Sequence, residues 1–135
     1  MAKNLLTSVK DTAPDESLVP SRGFNDMDLR WLVTEENMGA EYLTFGRTVF
    51  APGGSSRHAM HRHPNAEEVL MVLRGKGVSL VGDERYDMVP GDVNFIPKNA
   101  PHSFFNESPD EECEIIFVYG GGPTLEKAGY EVVDG

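Results

Sequence analysis

The sequence predicts an all-β domain of the sandwich or jelly-roll kind. Three observations lead there. Apolar, β-branched and aromatic residues come in many short runs; glycine (14) and proline (9) sit between those runs; and almost no stretch keeps a helical period. At 135 residues the chain suits one domain with a real core.

The runs follow in order. Residues 1–28 are polar, carry Pro14 and Pro20, and read as an N-terminal arm, either frayed or packed on a partner subunit, with Leu18, Val19 and Phe24 to bury. The barrel is assigned to 29–123. Its first strand is 29–33 and its second 42–51, rich in residues that favour strands, broken at Pro52-Gly53-Gly54. An apolar run at 69–73 ends at Gly75 and Gly77. Runs 78–81 and 86–89 flank Gly82-Asp83, a hairpin dipeptide, and Pro90-Gly91 turns the chain again. Strands at 93–96, 102–106 and 114–119 complete about eight, and Gly120-Gly121-Gly122-Pro123 closes the barrel. Residues 124–135 form a tail, with a short helix at 124–128 stopped by Gly129. The sequence shows no internal repeat, so one barrel and one site are expected.

Composition narrows the function. A net charge of −10 repels phosphate backbones, so no nucleic-acid partner is expected. One cysteine, Cys113, rules out an internal disulfide and reads as a buried thiol. The absence of an apolar leader or a membrane-length apolar run predicts a cytoplasmic protein with no membrane partner. The run 69–73 is apolar on both faces, which implies a cover on its outer side and, with the arm, a homodimer.

Three of the four histidines cluster. His61 and His63, two apart on a strand, aim at one point. Pro64 and Asn65 turn the chain so that Glu67 or Glu68 returns toward it, and His102 arrives from a distant strand. Imidazoles plus a carboxylate make a site for one divalent ion, whether iron, manganese, nickel, copper or zinc, with open positions for a small-molecule substrate.

These residues resemble the cupin superfamily. Its first motif is matched by His61-x-His63, four residues, Glu68, six residues, Gly75. Its second is matched by Gly91, five residues, Pro97-x-Asn99, two residues, His102, three residues, Asn106. The resemblance implies a double-stranded β-helix and metal ligands His61, His63, Glu68 and His102. Two positions depart from the pattern: Ser55 stands where a glycine is expected before His61, and Asn99 replaces the turn glycine. Asparagine tolerates a positive φ, so that turn can survive.

Strand parity adds Leu70, Val72, Phe104 and Asn106 as a substrate pocket, with Phe105 facing the other way into the outer layer. Glu68 and His58 are the candidate catalytic residues; two readings of His58 stand, a proton shuttle near the cavity mouth and, ahead of it, a loop histidine simply open to solvent. By resemblance, the function is that of a metal-dependent oxygenase or lyase acting on a small enolisable or phenolic compound, as in quercetinases, acireductone dioxygenases, oxalate decarboxylases and germins. The alternatives are a redox-neutral cyclase or isomerase, as in single-cupin polyketide cyclases and sugar isomerases, and a non-catalytic small-molecule-binding cupin.

Overall fold

The computed structural model describes residues 4–133, so residues 1–3 of the arm and 134–135 of the tail lie outside the described residues. The chain begins with an extended arm and a single turn of 3-10 helix, Pro20–Arg22. Then come β1 (Phe24–Asn25), β2 (Met27–Val33), the short helix α1 (Glu35–Met38) and β3 (Leu43–Phe50). A loop leads to two short strands, β4 (Arg57–His58) and β5 (His61–Arg62). After them run β6 (Glu67–Arg74), β7 (Gly77–Val81), β8 (Glu84–Met88), β9 (Val93–Ile96), β10 (His102–Phe105) and β11 (Cys113–Gly120). Helix α2 (Leu125–Ala128) and β12 (Glu131–Val132) end the described chain. Among the described residues, no helix is long and apolar enough to cross a membrane.

Two antiparallel sheets face each other, as the jelly-roll expectation requires. One has the order β2-β3-β11-β6-β9. The other runs β1-β4-β10-β5-β12, with β7 on the far side of β10 and β8 beyond β7. Alternation builds the core between them. Cys113, Ile115, Phe117 and Tyr119 of β11 are buried, as are Glu68, Leu70 and Val72 of β6, while their neighbours in sequence turn outward. Phe50 and Val72 are fully enclosed. Leu29, Ile96 and Phe104 join the same cluster.

Turn chemistry sets the register. Gly82-Asp83 joins β7 to β8 in a two-residue hairpin, with Val81 opposite Glu84 and Gly82 at φ 57°. Gly75 sits at φ 74°, and a Cβ there would run into the Glu112 carbonyl, so a side chain is doubly excluded. Asn99 adopts φ 67°, and its N–H donates to the His63 carbonyl at 3.0 Å, tying the two histidine-bearing segments together.

Three sequence expectations change. The arm folds back on its own chain: Arg30 donates to the carbonyls of Val9 and Thr12, and the Trp31 indole donates to Asp15 at 2.8 Å. Strand β1 and the start of β2 lie within 1–28, and β12 lies within the tail, so both end segments complete the barrel's sheets. Finally, the outer face of 69–73 is not covered by the chain itself: Val69 and Leu73 are exposed. Helix α1 was not expected. Thr34 caps it, accepting from the Asn37 N–H while the Asn37 side chain accepts from Thr34 N.

Candidate metal centre

Strand β10 lies between the other site strands and brings the histidines together. Its His102 is paired with His61 of β5, and nitrogen atoms of His61, His63 and His102 all lie within 4.8 Å of one another. All three residues are buried. Glu68 enters from the opposite sheet, where it sits between Tyr119 and Ile96. Its Oε1 is 3.1 Å from His102 Nε2 and 3.2 Å from His63 Nε2. Glu67, by contrast, is exposed. The ligand set implied by the resemblance therefore converges, and of the two glutamates it is Glu68 that joins it.

Hydrogen bonding fixes which nitrogen each ring presents. His61 Nδ1 lies 2.6 Å from the Ala59 carbonyl, His63 Nδ1 2.7 Å from that of Gly129, and His102 Nδ1 2.9 Å from that of Ala100. A carbonyl oxygen only accepts, so each Nδ1 carries the proton and each neutral ring has its lone pair on Nε2. His63 Nε2 is buried with no hydrogen-bond partner, although Glu68 is close. An orphaned buried acceptor costs roughly 1–3 kcal/mol. A carboxylate facing imidazole lone pairs is repelled unless a cation or a proton sits between them. The residues thus fit a divalent ion held by His61, His63, His102 and Glu68.

The charges respond accordingly. Burial works to raise the Glu68 carboxyl, but hydrogen bonds and charge from His102 and His63, when a proton sits on Nε2, outweigh burial and hold it down to about 2. Burial pulls His61 well below the ordinary imidazole range. His102 feels the same burial, but its bond to Glu68 and the charge of that carboxylate carry it upward.

A buried cavity of about 20 Å³ adjoins these rings, room for about one water. Leu70 and Phe104 line it, as the strand parity suggested. Val72 is buried deeper and does not. Asn106 does not either: its amide donates to the carbonyls of Phe50, Ala51 and Glu111, so it clamps backbone instead of facing a ligand. The cavity also takes Thr48, Ile115, Phe117 and Tyr119, which the sequence reading missed. Continuing the alternation of β11 back from Tyr119 would have found the last three. Phe105 does not line the cavity; it is buried beneath the Arg57 guanidinium, which lies 4.6 Å above its ring.

His58 is the largest revision. It is not a solvent-open loop residue. It lies in β4, opposite Phe24, and its ring packs 4.4 Å from both Phe24 and His61. Its Nδ1 is buried without a partner, and burial drops its pKa to about 3. A far larger concavity, about 560 Å³, opens between β7, β8 and the 107–111 loop, but none of the histidines lines it.

Two antiparallel sheets enclosing three histidines and a glutamate define a β-barrel with a candidate metal site, and comparison with known proteins says which kind. The family model described as "Cupin domain" matches residues 46–119, and the chain belongs to that family. SchB of Streptomyces halstedii is 31% identical over 102 residues, 76% of this chain and 72% of that protein. Auxin-binding protein 4 of Zea mays is 34% identical over 84 residues, 56% of this chain but only 40% of the maize protein's length. Among solved structures, the polyketide cyclase RemF from Streptomyces resistomycificus superposes with a TM-score of 0.76 over 99% of this chain and 87% of that one. Its sequence identity is 22%, so this is a likeness of fold.

Replacing any of His61, His63 or His102 with alanine should remove most of a bound divalent ion, measured as metal per chain after dialysis. Glu68→Gln should weaken binding by at least about ten-fold, the lower bound even for a residue that only supports a ligand. Glu67→Gln should leave binding close to wild type, and the reverse ranking would shift the register of that turn.

Proposed function

We propose that the protein is a divalent-metal-dependent enzyme acting on a small enolisable or phenolic molecule, of the oxygenase or lyase type. The observation that carries this is the convergence of three imidazoles, each fixed through Nδ1, with a buried carboxylate beside an apolar cavity. A divalent ion bound there would supply a Lewis acid to two oxygens of the substrate. The protein's own contribution is specific. Three neutral ligands and one carboxylate leave a residual positive charge of about one at the site, which favours chelating anions such as enediolates, catecholates and β-diketonates. Leu70, Phe104, Ile115 and Phe117 hold bulk water away from the site, which strengthens every charge interaction inside.

A redox-neutral cyclase or isomerase is the second reading, and His58 favours it. His58 lines the same cavity beside His61 and keeps an unpartnered Nδ1, a free hydrogen-bonding position through which a proton of a bound substrate would be handed on. RemF, with which the fold superposes, is a polyketide cyclase, which supports the same reading. A reduced, cytoplasmic setting belongs to both proposals; Cys113 is buried and burial raises its thiol to about 11.

Titrating iron-loaded protein with acetylacetone and catechol tests the first reading. It expects a metal-dependent absorbance change with each compound and oxygen uptake with one of them or a close analogue. Turnover without oxygen uptake, reduced about 10²-fold or more in His58→Asn at unchanged metal content, would instead select the second reading. No absorbance change with either compound would leave a non-catalytic binding module.

We also propose that the protein is a homodimer joined through the outer face of the five-stranded sheet. Val69, Met71, Val93, Phe95, Ile116 and Val118 sit on the adjacent strands β9, β6 and β11 with their side chains outward. Val93 is 60% and Phe95 52% exposed, a patch larger than scattered surface residues make. The Arg47–Glu114 and Arg74–Glu112 ion pairs border it. Light scattering should give twice the chain mass, and Phe95→Glu should give a folded monomer; a monomeric wild type at micromolar concentration would contradict the proposal.

A further inference from the structure

The metal centre has two flanks. One faces the interior, where the cavity of about 20 Å³ is enclosed by core residues of long central strands. The other is closed by two aromatic rings from opposite ends of the chain, Phe24 and Tyr130. Strand β1 pairs with β4, and β12 pairs with β5, so the two ends line up as the outermost strand beside the histidine-bearing one. The Tyr130 ring lies 5.0 Å from that of His61 and stacks on Phe24 at 5.1 Å, with an interplanar angle of 29°. Its hydroxyl donates to the Arg22 carbonyl at 2.7 Å. One residue earlier, the Gly129 carbonyl accepts the His63 Nδ1 proton. The end segment therefore touches two of the three imidazoles.

This wall is also the most weakly attached part of the site. Strand β12 has two residues, both exposed. Its connection to the barrel is the short pairing with β5, the Val133 N–H to the Met60 carbonyl and the solvent-exposed Arg62–Glu131 ion pair at 2.8 Å, a contact of a kind that adds little to stability. By contrast, β6 and β11 are eight-residue strands paired on both sides. Segments with few buried contacts open first. Beyond Gly129, among the described residues, Tyr130 is the side chain that packs on the core.

We propose that Tyr130 gates the metal centre: the segment 130–133 leaves the sheet edge to admit a planar, ring-sized enol or phenol, which takes the position of the Tyr130 ring between Phe24 and His61. The inference rests on the metal-centre reading and deepens it by naming the route and shape of the substrate. Tyr130 is a phenol that already stacks on Phe24 with its hydroxyl hydrogen-bonded, so the space it leaves fits a flat ring bearing an oxygen. Tyr130 is in this sense a specificity-determining residue; the imidazoles and Glu68 remain the groups that meet the reacting atoms.

Metal-free protein treated with diethyl pyrocarbonate, followed by peptide mapping, reads the gate without any activity or metal. Tyr130→Ala should speed modification of His61 and His63 by at least about ten-fold, since a closed gate leaves an open state only about 0.1–10% populated. Tyr130→Phe, which keeps the ring, should stay near wild type, and Tyr86→Ala, on the distant β8, should change nothing. Motion is tested with Arg62→Cys/Glu131→Cys, at positions directly paired across β5 and β12. Its oxidised form should react at least about ten-fold more slowly at His61 and His63 than its reduced form, because the staple removes the open state. Equal rates in the two forms would overturn the gate, even where Tyr130→Ala is fast. Metal content measured on the same proteins separates the two claims: a chain that binds no ion yet shows these rate differences overturns the metal reading alone.

Discussion

Each imidazole of the cluster holds its Nδ1 proton against a backbone carbonyl, and the centre depends on that arrangement. The three carbonyls belong to Ala59, Ala100 and Gly129, none of them inside a strand. Ala59 lies in the break between β4 and β5. Ala100 lies in the turn that Pro97 and Asn99 shape. Gly129 follows α2, whose start is capped by the Thr124 hydroxyl accepting from Lys127 N. The irregular parts of the fold thus decide the tautomer, and the regular parts deliver the rings. With the tautomers exchanged, Nε2–H groups would point at one another and the site would accept no cation.

Glu68 makes the arrangement costly in the absence of a positive charge. Burying a carboxylate without compensation costs several kcal/mol even after relaxation. The nearest compensating charge is a proton on His102, whose affinity for it is raised by Glu68. A metal ion does the same for all four residues at once and also satisfies the orphaned His63 Nε2. The stability of this region and the proposed metal binding therefore pull the same way only when a cation is present, while the rest of the core, around Phe50, Leu29 and Val72, is apolar and independent of it.

Much of this was legible in the sequence, for a physical reason. Ligand spacing on strands is set by a period of two, so His61 and His63 share a face, and Glu68 shares one with Leu70. The choice of Glu68 over Glu67 comes from the resemblance, whose motif sets six residues between the glutamate and Gly75. What the sequence hid depends on contacts between distant segments. The burial of His58 comes from Phe24, in a stretch read as an arm, and from a strand of only two residues, too short to show any period. The roles of Gly129 and Tyr130 depend on β12, likewise two residues long. Asn106 has the spacing of a pocket residue, but its amide has donors that the nearby carbonyls occupy. Helix α1 escaped notice because its cap uses Asn37 where a glutamate or glutamine is the usual signal.

Nitrogen-15 NMR of the histidine rings tests the central claim most directly, because it reports the tautomer of each imidazole and which nitrogen meets a metal. At neutral pH the metal-free protein should show His61 and His63 as Nδ1–H tautomers, and addition of one equivalent of zinc should shift Nε2 of His61, His63 and His102 while leaving each Nδ1 protonated. An Nε2–H tautomer at His61 or His63, or a zinc-induced shift at Nδ1, would contradict the account of how this fold builds its metal centre.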